Sequence, residues 1–191
     1  MVHLRQYIWS IRMQRQYFQQ FRALSCSKWQ ASLLYLLGGM IIFALSARCY
    51  VPGYWVPTTM QTWVILMIGC CYPARHGQAV LIITYMLALL GLPMLTDGTT
   101  GAEVLLGPRA GYLIGFILAV EYLQYQKRSD RSGIGYLSLM IAQAMILLSG
   151  YIVLAQFLGY WRAWLYGVQP FLALECIKLY LAKKVVDWIK C

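Results

Sequence analysis

Six apolar runs, separated by short polar or basic connections, leave few folds open to this sequence. They cover about Ala31–Ala47, Met60–Tyr72, Gln78–Leu90, Pro108–Tyr125, Ile134–Leu158 and Val168–Ala182, the last extending toward Val186. A backbone in lipid must satisfy its own hydrogen bonds, so runs of this kind form helices. A full crossing takes ~20 residues. The second and third runs are short for that, so they extend into their flanks or form a tight hairpin around Pro73–Gly77. The composition agrees with burial in a bilayer: 61% of residues are hydrophobic and 12% charged, where soluble domains are nearer half and a quarter. The expected fold is an all-α membrane protein, a bundle of six transmembrane helices.

Charge placement orients that bundle. The net charge of +10 is not gathered on one continuous face, so nucleic acid is not the expected partner; the basic residues lie between apolar runs, as membrane topology requires. Six spans put both termini on one side. If that side is cytoplasmic it holds Arg5, Arg12, Arg15, Arg22, Lys28, Arg75, Lys127, Arg128, Arg131, Lys183, Lys184 and Lys190, leaving Arg48, Arg109 and Arg162 outside. This is the positive-inside pattern, and a multi-pass protein of the cytoplasmic membrane is expected. Residues 1–29 form a basic, aromatic N-terminal segment. It either lies on an anionic bilayer surface as an amphipathic helix or is a loose tail; residues 30–191 form the six-helix domain. VPGYWVP and GYWRAWLYG read as short connections with aromatic interface anchors.

One connection stands apart. GTTGAEVLLGPRAGYLIGF, Gly98 to Phe116, begins polar and glycine-rich, with Asp97, Thr100, Gly101, Glu103 and Arg109 in or beside it. Gly107, Gly111, Gly115 and Ala119 recur every fourth residue, a strip where another helix can approach closely. Pro108 suits the first helical position. The unpaired N–H groups of that turn would then face the loop at the positive end of the helix dipole, ready for a carboxylate. The alternative is that the glycines only pack helices and the loop only connects them.

Glu175 and Lys178 lie inside the sixth run. Three residues apart on a helix, they share a face. A charge near the bilayer centre costs at least ~2.5 kcal/mol on insertion scales, so such residues face a partner or a wet cavity. They either neutralise each other and pin one helix, or offer an acceptor and a donor to a polar ligand. Glu121 lies near the cytoplasmic end, within reach of Lys127 or Arg128. Thr58, Thr59 and Gln61 open the second run from outside, as a helix cap at the water boundary or as further ligand contacts.

Other chemistries lack their residues. No Gly-Lys dipeptide occurs, hence no Walker A loop. HExxH, GxSxG and cysteine–histidine pairings are missing. The six cysteines contain no CxxC, and His3 and His76 are isolated, so neither a metal site nor a disulfide framework is expected.

VPTTMQT, GLPMLTDGTTGAEVLLGPRAGYLIGF and PFLALECIKLYLA together resemble the biotin-specific substrate-binding component of energy-coupling-factor transporters, over about Val51 to Ala182. LLGPxxGYLIGF after a glycine-rich loop is the most specific element. The resemblance implies a six-helix protein that captures biotin, as cargo and not as cofactor, at its outer face. It implies a membrane coupling (T) component and two ATPase subunits as partners. It places Glu175 and Lys178 where the family carries an acid and a lysine that contact biotin, and brings Gln61, Asp97, Gly98, Thr100, Gly101, Gly107, Pro108, Gly111 and Tyr112 forward as further contacts. Two departures stand out. Glutamate replaces the family's usual aspartate, and Ala173 and Leu174 replace a proline and glycine before it. No clean alanine-x-x-x-alanine docking strip occurs in the first run, where Gly38, Gly39, Ala44 and Ala47 are the nearest small residues. The rivals are a carrier of another vitamin, such as thiamine or riboflavin, and a structural membrane protein. A cationic thiazolium would prefer acids and aromatics without a lysine.

Overall fold

A computed structural model describes residues 28–53, 56–73, 75–98, 100–129 and 134–190. Residues 1–27, Tyr54, Trp55, Ala74, Thr99, 130–133 and Cys191 lie outside the described residues, and with them most of the basic N-terminal segment and Arg131. Six long helices form the bundle: α1 (Lys28–Arg48), α2 (Gln61–Cys71), α3 (His76–Leu89), α5 (Ala110–Ser129), α6 (Tyr136–Leu158) and α8 (Gln169–Lys190). Two short helices, α4 (Glu103–Leu106) and α7 (Tyr160–Gly167), a 3-10 turn at Thr96–Gly98 and a two-stranded antiparallel ladder of β1 (Tyr50–Val51) and β2 (Thr58–Thr59) complete it among the described residues.

The shortest long helix is the centre. α2 packs against α1, α5, α6 and α8. Gln61, Thr62, Val64, Ile65, Leu66, Ile68, Gly69 and Cys70 are all buried, so it is covered nearly all round. That is why its run carries no polar face: a helix apolar on all sides belongs inside. Its length follows from its place, since the ladder before it and the turn after it carry the chain the rest of the way. In that turn, Gln124 of α5 is 2% exposed. It accepts a bond from the Arg75 N–H at 3.3 Å and donates to the Pro73 carbonyl at 3.4 Å. α1 is the opposite case. Only 22% of its apolar window is buried, and Leu33, Leu34, Leu37, Ile41, Ile42 and Leu45 face outward, a surface suited to lipid and not to water.

The recurring small residues hold α5 to α6, the most extensive helix pair. A Cβ at Gly115 would lie 2.8 Å from the Ile146 Cα and collide with the Ser149 hydroxyl; one at Gly111 would meet the Ser149 carbonyl and Val153. Basic side chains close on backbone carbonyls at both ends of the bundle. At one end Arg48 donates to the Pro93 carbonyl at 2.8 Å, and at the other Lys127 reaches the Cys71 and Tyr72 carbonyls at 3.4 Å. Arg128 pairs with Glu121 at 3.5 Å.

Four local expectations need correction. Pro108 is not the first helical residue: Gly107 ends α4 by donating its N–H to the Glu103 carbonyl, so the chain must turn before α5, and the Ala110 N–H closes that turn on Gly107. Thr58 and Thr59 pair with Val51 and Tyr50 in the ladder and do not open α2, which starts at Gln61. GYWRAWLYG is mostly helix, because Gly159 at φ 78° breaks α6 and lets α7 begin at once. The sixth helix runs to Lys190, with Lys183 and Asp187 paired along its exposed end.

The glycine strip can be tested against a neutral site. Gly115→Ala should destabilise by several kcal/mol, because backbone must move to admit the methyl. Gly38→Ala in α1, where a Cβ meets nothing within 4 Å, should stabilise by ~0.5–1 kcal/mol through helix propensity. Thermal unfolding in detergent measures both.

Candidate ligand site

The buried charges of α8 face α2 and close on each other. Lys178 Nζ lies 2.7 Å from Glu175 Oε1, 2.6 Å from the Thr59 carbonyl oxygen and 3.0 Å from the Thr62 hydroxyl. An ammonium has three protons to donate, and three acceptors are in place. The Thr62 hydroxyl lies 3.0 Å from each Glu175 oxygen, so it accepts from the lysine and donates to the carboxylate. Glu175 and Lys178 are 2% and 6% exposed. Such a pair survives burial only with its remaining donors and acceptors satisfied, and the two threonines satisfy them.

On the other side of those threonines lies a cavity. Its floor carries Thr59, Gln61, Thr62 and Thr96; its apolar walls are Val56, Pro57, Leu95, Leu113, Phe116, Tyr112 and Phe171; Glu103, Gly107, Pro108 and Arg109 form another side. Tyr112 and Phe171 stack with centroids 6.1 Å apart and planes 25° apart, and the Tyr112 hydroxyl is anchored on the Gly167 carbonyl at 2.7 Å. Along the floor, Thr59 and Thr96 reach the Gln61 Oε1 at 3.3 and 2.9 Å, and the Gln61 N–H reaches the Thr59 hydroxyl at 3.3 Å. A mostly apolar pocket with a few fixed polar groups suits a small amphipathic molecule.

The sequence-derived candidates do not all reach the cavity. Gln61, Gly107, Pro108 and Tyr112 line the cavity. Glu175 and Lys178 stand behind it, one residue layer away through Thr59 and Thr62. Gly98, Thr100 and Gly101 belong to the connection beyond the cavity lining; Gly98 and Gly101 take φ 68°, a left-handed conformation that favours glycine, and the Gly101 N–H binds the Ala88 carbonyl at 2.9 Å. Asp97 lies in the adjacent turn, but its side chain is outside the described residues. Gly111 packs on α6. Two N–H groups expected to await an anion are engaged, Ala110 with Gly107 and Tyr112 with Arg109.

Thr96, Arg109 and Phe171 were not singled out as ligand contacts. Phe171 had a signal, since it stands four residues before Glu175 and so shares its helical face. Thr96 had none, because a loop threonine's direction depends on a backbone path that the sequence leaves open.

Thr62→Val should cost about 1–3 kcal/mol of stability, because it leaves a buried ammonium and a buried carboxylate each short of a partner; Thr62→Ser should restore it. Thermal melts of the purified variants decide this.

The BioY family model matches residues 18–190, taking in α1 and part of the basic segment as well as the motifs. The probable biotin transporter BioY of Pyrococcus horikoshii is 29% identical over 123 residues, 64% of this chain and 74% of that one. The biotin transporter BioY of Thermotoga maritima is 29% identical over 156 residues, 78% and 89% of the two chains. The crystal structure of the S-component for biotin from an ECF-type ABC transporter superposes with a TM-score of 0.72, covering 88% of this chain and 95% of that one at 22% identity. That likeness shows a shared membrane-bundle fold. Matched through all six long helices, the chain belongs to the BioY family.

Proposed function

We propose that this protein captures biotin at the outer face of the cytoplasmic membrane and serves as the substrate-binding component of an energy-coupling-factor transporter. One observation carries the reading: the cavity pairs a stacked aromatic–aliphatic wall with a hydrogen-bonding floor of Thr59, Gln61 and Thr62, and has Arg109 on another side. Biotin has the matching halves, a compact ring with a polar urea edge and an acyl tail ending in a carboxylate. The names of the relatives in Pyrococcus and Thermotoga support the same cargo.

In this reading both termini are cytoplasmic, residues 1–29 form a basic segment apart from the six-helix domain, and a membrane T component with two ATPase subunits drives release. Asp97, Gly98, Thr100 and Gly101, in the connection between the lining residues Thr96 and Glu103, supply further contacts to the bound ligand. Glu175 and Lys178 contribute by fixing Thr59 and Thr62, or by turning toward the ring once biotin is bound.

Titration calorimetry in detergent should show biotin binding, with thiamine and riboflavin inert. Lys178→Met and Glu175→Gln should each weaken biotin roughly ten- to a hundredfold, the loss of a buried charge-assisted hydrogen bond. Glu175→Asp should be tolerated. Unchanged affinity in both neutral variants would remove the pair from the site. Uptake of labelled biotin should vanish in a host lacking every ATPase subunit of this transporter class, since the chain has no phosphate loop; full ATP-driven uptake there would refute the proposed partnership.

A further inference from the structure

The cavity floor contains one hydrogen-bonding position that the protein leaves open. Gln61 is 5% exposed, and its Oε1 receives both Thr59 and Thr96. The Thr59 hydroxyl itself accepts the Gln61 backbone N–H, so its proton is directed to the Gln61 oxygen. That arrangement commits one end of the amide and leaves the other, Nε2, buried without a partner among the described residues. A buried amide donor left unpaired keeps its desolvation penalty, which an acceptor brought by a ligand would offset. Lys178, one residue layer behind the floor, cannot relieve it, since Lys178 is itself a donor.

We infer that Gln61 recognises the ligand as a hydrogen-bond donor through Nε2, and that Thr96 is a positioning residue that sets the amide's direction. The inference rests on the reading of this cavity as the biotin site and goes further by assigning polarity. The ligand must present an acceptor at the floor. Of biotin's two acceptors, the ring carbonyl fits there. The floor around Gln61 and Thr96 is buried, whereas Glu103 is exposed and Arg109 half-buried, and a carboxylate pays a far larger desolvation cost than a neutral carbonyl. Thr96 lies in the turn that leads into the glycine-rich loop, so the loop's path and the amide's direction are tied through one hydroxyl.

The test compares biotin with iminobiotin, in which a guanidinium replaces the ring urea and offers protons where biotin offers an oxygen. Binding is measured by calorimetry near neutral pH on folded protein. The wild type should favour biotin. Gln61→Glu keeps the shape and the acceptor for both threonines but loses the donor, so biotin should weaken roughly ten- to a hundredfold, while the preference over iminobiotin narrows or inverts. Thr96→Val should weaken biotin and Thr96→Ser should restore it. Unchanged biotin affinity in Gln61→Glu, or an equal loss for both ligands, would overturn the inference. If Gln61→Glu does not fold, the Thr96 pair decides, and full affinity in Thr96→Val would overturn it. A wild type that does not bind biotin at all would instead overturn the proposed function.

Discussion

Between α2 and α8 a carboxylate and an ammonium are held out of water, and the surrounding structure is arranged so that they can be. Each charge alone would be costly at that depth. Together they need a hydroxyl that can accept and donate at once, supplied by Thr62, and a carbonyl freed from regular pairing, supplied by Thr59 at the mouth of a two-residue ladder. The ladder therefore has a purpose beyond connecting α1 to α2. It ends regular structure one residue before the helix, where a backbone oxygen can be given to Lys178.

From that anchor the cavity follows. Thr59 and Thr62 face the ion pair on one side and the cavity on the other, so the charges stiffen the floor without standing in it. The aromatic wall depends on a different constraint, close approach of α5 to α6 through Gly111 and Gly115. That approach sets α5, and with it Tyr112, whose ring lies against Phe171 of α8. A polar clamp between α2 and α8 and an apolar clamp between α5 and α6 thus fix two parts of the lining of one space.

Much of this was legible in the sequence because bilayers impose coarse rules. Apolar run length gave the six helices, and the fourth-residue recurrence of glycine gave a close helix approach on α5, though not that α6 makes it. Glu175 and Lys178 were visible as charges where charges are expensive. Their inward closure was not visible, because spacing on α8 says nothing of a threonine more than a hundred residues away. Pro108 misled for a related reason: its ring favours a first helical position, but Gly107 already had to end α4, and the chain needed a turn before α5. The role of Tyr160–Gly167 was hidden by its aromatics, which read equally as anchors of a loop or as one face of a short helix. Gln124, which fastens the Pro73–Arg75 turn, gave no signal beyond being a polar residue within an apolar run.

The central claim is that a protein-satisfied ion pair backs a cavity whose floor recognises the ligand. A structure with biotin bound, resolved well enough to place side chains, tests it most directly. The account expects the ring beside Tyr112 and Phe171, its carbonyl oxygen within hydrogen-bond distance of the Gln61 amide, and the carboxylate toward Arg109. Biotin seated elsewhere in the bundle, or lodged in this cavity with its carboxylate on Gln61, would contradict it.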